Sequence, residues 1–146
     1  MMLKNKVAIV TGGTRGIGFA VVKKFIENGA AVSLWGSRQE TVDQALEQLK
    51  ELYPDAKISG KYPSLKDTAQ VTAMINQVKE EFGAVDILVN NAGISQSTSF
   101  YNYQPEEFQK IVDLNVTAVF NCSQAAAKIM KEQGGGVILN TSSMVS

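Results

Sequence analysis

The sequence predicts an α/β fold built as a doubly wound parallel sheet. Two observations carry this. Five short runs that read as strands alternate with helical segments through the whole chain, and four of them are rich in Val, Ile and Leu without clean polar alternation. Strands of that kind are covered on both faces, and helices placed between them act as right-handed crossovers. A third observation, a glycine-rich turn after the first strand, places the functional end of the sheet.

The elements follow in order. "KVAIV" (6–10) is the first strand, and Ile17, Val21, Val22, Phe25 and Ile26 recur after it at helical spacing. That helix stops at Asn28-Gly29, where glycine takes the left-handed cap conformation. "AVSLW" (31–35) is the second strand. The next helix is sharply one-sided, with Val42, Ala45, Leu46, Leu49 and Leu52 on one face. "KISGK" (57–61) is short and polar, so it reads as an edge strand. The third helix uses Val71, Met74, Ile75, Val78 and Phe82 and ends at Gly83, with Asp67 as an exposed residue of its first turn. "VDILVN" (85–90) is the fourth strand. A fourth helix opens at Pro105-Glu106-Glu107, a favourable first turn, and runs to about Gln133. It is apolar over more than one stripe and should be buried on two sides. "GVILN" (136–140) is the fifth strand, a bare apolar edge unless something covers it. No repeat or linker interrupts the pattern, so residues 1–146 read as one domain.

Composition narrows the function. The chain has 146 residues, with 14 Lys plus Arg against 14 Asp plus Glu, hence zero formal charge. Non-specific nucleic-acid binding needs a basic surface, and this balance argues against it. There is no histidine, which excludes a His-ligated metal and a Ser-His-Asp triad, and no metal site is expected. One cysteine, Cys122, permits no internal disulfide and reads as a small apolar helix residue. No apolar stretch approaches the roughly 20 residues needed to span a bilayer. The start, "MMLKNKVAIV", does not read as a signal peptide, so the expected location is the cytoplasm.

The first strand runs into "VTGGTRGIGFA", where Gly12, Gly16 and Gly18 form Gly-x-x-x-Gly-x-Gly at a strand-to-helix turn. Backbone N–H groups must approach a phosphate closely there, and the helix N-terminus adds partial positive charge. A P-loop would place Lys and then Ser or Thr directly after its last glycine, whereas Phe19-Ala20 follows Gly18. The fourth strand ends in "NNAG", Asn90 to Gly93.

With "TGGTRGIG", "NNAG", "DLNVTAVFN" and "GVILNTSS" in this order, the chain resembles the short-chain dehydrogenase/reductase family from Lys6 to Ser146. Within it, the chain is most similar to bacterial 3-oxoacyl-carrier-protein reductases and bile-acid hydroxysteroid dehydrogenases. The resemblance implies a Rossmann-type sheet of order 3-2-1-4-5 and reversible hydride transfer between a nicotinamide and a small-molecule carbonyl or alcohol. It implies a nucleotide site made by Gly12, Thr14, Arg15, Gly16, Ile17, Gly18, Ser37, Arg38, Ser64, Asn91, Ala92 and Gly93. It implies Ser143 as the substrate-orienting hydroxyl and Asn115 as the holder of a water in a proton relay. The family commonly forms dimers and tetramers, so a homodimer or homotetramer through the 105–133 helix is expected, with cover by a C-terminal helix of a longer parent protein as the alternative.

Cofactor choice rests on the end of the second strand, "LWGSRQE". An enzyme that selects NAD usually places an acid here. Gly36 takes that place, followed by Ser37 and Arg38, and the first acid is Glu40, inside the helix. Arg38, with Arg15 from the glycine loop, suits a 2′-phosphate, so the expectation is NADP(H), with NAD(H) as the alternative. A plainer reading makes Ser37 the helix N-cap and Arg38 a solvated first-turn residue. After the third strand, Ser64 stands where the family often has an adenine-contacting Asp.

The family's acid is a Tyr whose pKa is lowered by a Lys four residues on, located after the Ser. Two matches occur here, Tyr53 with Lys57 and Tyr62 with Lys66, and both precede Ser143. Each Tyr is followed by Pro, which pushes it out of helical geometry. Both are expected to lie away from the active-site strand ends. The chain is therefore expected to lack the acid pair and to be inactive alone. The alternative is a non-catalytic nucleotide-binding or interaction module.

Overall fold

The computed structural model describes residues 1–95 and 97–143. The element order is β1 (Val7–Thr11), α1 (Gly16–Glu27), β2 (Ala31–Trp35), α2 (Gln39–Leu52), β3 (Ile58–Lys61), α3 (Thr68–Phe82), β4 (Ile87–Asn90), α4 (Pro105–Val112), α5 (Ala118–Glu132) and β5 (Val137–Asn140). All strand pairs are parallel, in the order β3-β2-β1-β4-β5. The sheet is the Rossmann-type arrangement expected. The chain moves outward from β1 to β3, then returns to the far side of β1 to lay down β4 and β5. The strand order therefore reverses between β1 and β4.

Side-chain alternation in β1 divides the core. Val7 and Ile9 pack with Val71, Ile75 and Val78 of α3 and Cys122, Ala126 and Ile129 of α5. Ala8 and Val10 point to the other face and meet Val22 and Ile26 of α1 and Val42, Ala45 and Leu49 of α2. Every residue of β1 is buried. This is why the strand reads as a continuous apolar run. β3 is an edge strand, as expected, with each residue half-buried.

The long fourth helix differs from its expected form. Residues Asp113–Thr117 form a π-helical turn between α4 and α5. Apolar periodicity continues through it, so the sequence pattern alone reads as one helix. Of its two apolar stripes, one packs on the sheet through Ala118, Cys122, Ala125, Ala126, Ile129 and Met130. The other is exposed, with Val116 and Phe120 each 61% accessible. β5 likewise leaves Val137 and Leu139 half exposed, as a bare edge would.

α3 also starts differently from its expected form. Asp67 is its N-cap, accepting a hydrogen bond from the Gln70 N–H, rather than a first-turn residue. At the other end, Gly83 adopts φ +89° and its N–H bonds the Lys79 carbonyl at 2.7 Å, closing the helix. Among the described residues no helix is long and apolar enough to cross a membrane, and no cluster of ligating side chains suits a metal ion.

Candidate nucleotide site

Four loops meet at the C-terminal ends of the strands and enclose a cleft of about 750 Å³. A slightly larger hollow, about 790 Å³, opens at the opposite end of the sheet, around Lys4, Tyr53 and Lys57. The first is the site candidate, because ligands in open α/β sheets bind beyond the strand C-termini where the strand order reverses.

The glycine loop forms one wall. α1 begins at Gly16, and Arg15 at its N-cap offers no side-chain cap, so the first N–H groups of the helix lack an intrahelical partner. Those donors and the helix dipole suit an anion. The three motif glycines do different work. An added Cβ at Gly12 would stand 2.9 Å from the Ala92 Cα, so this glycine lets the loop lie against the β4 turn. At Gly18 it would stand 2.0 Å from the Gly12 carbonyl oxygen, so α1 must be bare there to close against the loop. At Gly16, φ is +59° and nothing lies within 4 Å of that position, leaving backbone open toward the cleft.

The second wall comes from the ends of β2 and β3. Gly36, Ser37 and Arg38 line the cleft, and Arg15 faces it from the glycine loop. Both arginines are exposed, and among the described residues neither has an ion-pair partner. The Ser37 cap reading does not hold. The N-cap of α2 is Arg38, with no side-chain cap, and the Thr41 hydroxyl instead donates back to the Arg38 carbonyl at 3.0 Å. Ser64 also lines the cleft. Its N–H donates to Gln70 Oε1, while its hydroxyl has no partner among the described residues.

The floor is the β4 turn. The Thr11 hydroxyl accepts from the N–H groups of both Asn91 and Ala92 at 3.0 Å, stitching the β1 end to the β4 end. Asn91 Nδ2 donates to the Gly12 carbonyl at 3.2 Å. Ala92, Gly93 and Ile94 carry the cleft surface onward.

The remaining expected residues lie beyond this lining. Asn115, in the π turn, accepts from the Ile94 N–H at 3.0 Å and donates to the Ile94 carbonyl at 2.9 Å. Its carboxamide thus holds the loop after the β4 turn. Ser143 follows β5, whose pairing with β4 continues one residue past the strand through the Thr141 N–H to the Asn90 carbonyl. Ile17 is 69% exposed and Gly18 is buried, and neither lines the cleft.

The two early tyrosines separate. Tyr53 lies at the opposite end of the sheet, where its hydroxyl donates to Glu27 Oε1 at 2.7 Å. That bond holds its pKa above the ordinary phenol value, the reverse of activation. Tyr62, expected to lie away from the site, instead lines the cleft at the β3 end. Pro63, which follows it, is buried and lines the cleft as well. Trp35, Thr41, Gln70 and Leu114 also line the cleft without having been singled out. Trp35 is 1% exposed and donates to Ser33 Oγ at 3.0 Å, so its apolar strand-end signal gives no hint of a site.

Comparison with known proteins agrees with the geometry. Residues 6–146 match the short chain dehydrogenase family. The chain is 35% identical over 144 residues to the 3-oxoacyl-[acyl-carrier-protein] reductase FabG of Chlamydia muridarum, covering 99% of this chain and 58% of that protein. It is 33% identical over 141 residues to the levodione reductase of Leifsonia aquatica, covering 96% and 53%. Among solved structures, a short-chain type dehydrogenase/reductase from Mycobacterium marinum superposes with a TM-score of 0.91 at 36% identity, over 97% of this chain and 57% of that one. The chain thus spans little more than half the length of these relatives. The match begins at the first strand and takes in the whole sheet, and the chain belongs to the short-chain dehydrogenase family.

Proposed function

We propose that this chain forms the nucleotide-binding part of an NADP(H)-dependent oxidoreductase that reduces a carbonyl of the 3-oxoacyl thioester or ketosteroid type. The observation that carries the reading is the charge around the cleft. Two guanidiniums, Arg15 and Arg38, flank it without ion-pair partners among the described residues, and the residues after β2, Gly36, Ser37 and Arg38, include no acid. An acid there would repel a 2′-phosphate, whereas a charged hydrogen bond from Arg38 contributes about 1.5–3 kcal/mol. One such contact is worth roughly tenfold or more in affinity.

The residues fit a dinucleotide. Gly16 leaves open backbone at the helix N-terminus for a pyrophosphate, and Ser64, whose hydroxyl has no partner among the described residues, lines the cleft and suits a base edge. The bound nicotinamide would supply or accept the hydride. The chain's own groups would bind and orient. The glycine loop N–H groups would hold phosphate, and Asn115 fixes Ile94 and with it the turn after β4 that lines the cleft. Ser143 donates its hydroxyl to the substrate oxygen.

Proton delivery needs a Tyr paired with a Lys. Tyr53 is held by Glu27, and Tyr62 precedes Pro63, so neither fills the role. The chain alone is therefore read as binding nucleotide without turnover, in a cytoplasmic, oligomeric enzyme. The exposed Val116 and Phe120 on α4–α5 support a homodimer or homotetramer through that face. The test is to supply the purified chain with NADPH and a 3-oxoacyl thioester or a 3-ketosteroid. Nucleotide binding without oxidation of NADPH is expected. Turnover by these 146 residues would overturn the assignment of the missing acid pair.

A further inference from the structure

The polar groups beneath the cleft form a chain with fixed polarity. The Gly12 carbonyl can only accept, so the Asn91 carboxamide must turn its Nδ2 toward it, at 3.2 Å. That leaves Asn91 Oδ1 facing the other way, toward Thr141, whose hydroxyl donates to it at 3.2 Å. Thr141 is itself fixed, because its N–H bonds the Asn90 carbonyl at 3.1 Å. It lies two residues before Ser143. The Asn91 amide is also what Gly18 must avoid, since a Cβ there would stand 2.6 Å from Nδ2. One carboxamide thus touches the glycine loop and the start of α1, and is oriented by a hydroxyl from beyond β5.

We propose that Thr141 is a positioning residue: its hydroxyl sets the Asn91 carboxamide, and so holds the glycine loop and the serine-bearing end of β5 as one unit. The proposal rests on the nucleotide reading of the cleft for its functional consequence, but not for the bond itself. Its effect on affinity arises because the Gly12 carbonyl, once released, no longer presets the loop for phosphate. The loss of one hydrogen bond corresponds to about a two- to tenfold change.

Thr141→Val keeps the branched shape and removes the donor, and Thr141→Ser keeps the donor. Two measurements on the whole chain test the relay. In ¹⁵N–¹H spectra without nucleotide, the Asn91 carboxamide pair is expected to shift in Thr141→Val and to return toward its original position in Thr141→Ser. In titrations with NADPH, Thr141→Val is expected to weaken binding two- to tenfold, Thr141→Ser to restore it, and the valine effect to vanish in an Asn91→Ala background. An Asn91 pair that ignores Thr141→Val overturns the relay, as does a valine effect that persists without Asn91. If the parent chain binds no NADPH, the nucleotide reading falls, and the apo spectra still decide the relay. Should Thr141→Val fail to fold by circular dichroism, Thr141→Ala carries the same comparison.

Discussion

Replacing Gly18 by alanine places a methyl 2.0 Å from the Gly12 carbonyl oxygen and 2.6 Å from Asn91 Nδ2. Both distances fall well inside the van der Waals optimum of about 3.5 Å. The first obstacle is backbone, so no side-chain rotation relieves it, and either α1 or the loop must move. Overpacking of this kind costs about 1–3 kcal/mol, and a backbone obstacle puts Gly18→Ala toward the upper end. For a chain of this size, each kcal/mol shifts the melting midpoint by about 2–4 °C, so a loss of about 4–12 °C is expected. Gly16→Ala is the informative contrast. Its methyl would meet nothing within 4 Å, and the cost is the left-handed backbone alone, about 1–2 kcal/mol. That methyl would nevertheless occupy the backbone left open for phosphate. Thermal unfolding by circular dichroism and NADPH titration by Trp35 fluorescence separate the two. The protein has a single tryptophan, and it lines the cleft. Gly18→Ala should lose most stability, and Gly16→Ala should lose binding out of proportion to stability. A Gly18→Ala variant that melts with the parent would refute the close approach of helix and loop. A Gly16→Ala variant with parental affinity would remove the glycine loop from the binding site.

Other outcomes follow from single contacts. Arg38→Ala should weaken NADPH at least tenfold in calorimetric titration and leave NADH nearly unchanged; equal losses would deny Arg38 a role at the 2′-phosphate. Burial pushes the Cys122 thiol up to about 12, so native protein at pH 8 should resist a thiol reagent until unfolded. Rapid native labelling would mean that the core between α3 and α5 opens readily. The Gln70 N–H, above all, holds the Asp67 carboxyl below its usual value. A depressed folded pKa adds stability above the unfolded value of about 3.9, lost as pH falls through the lower folded value. Asp67→Asn should therefore flatten the stability profile below about pH 4, and an unchanged acid limb would dismiss the cap.

Much of the fold was legible because burial on both faces leaves a plain mark. "VAIV" reads as an inner strand, and "KISGK", with its two lysines and glycine, as an edge. The loops were legible where chemistry restricts residue type, as at Gly12, Gly16 and Gly18. The π turn was not, because its apolar spacing matches an ordinary helix and its visible anchor is a bond from Asn115 to Ile94, 21 residues away. Tyr62 escaped for a similar reason: it directly follows the β3 end, whose register beside β2 pairs Lys61 with the cleft-lining Trp35. The Asn91–Thr141 bond spans 50 residues. Neither a Thr before a Ser pair nor the second Asn of "NNAG" announces the other.

The most direct test of the central claim is a titration of the 146-residue chain with NADPH and with NADH, read by Trp35 fluorescence at one salt concentration. Saturable binding of both, with NADPH tighter by roughly tenfold, is the expected result. Binding of neither nucleotide, or tighter binding of NADH, would contradict it.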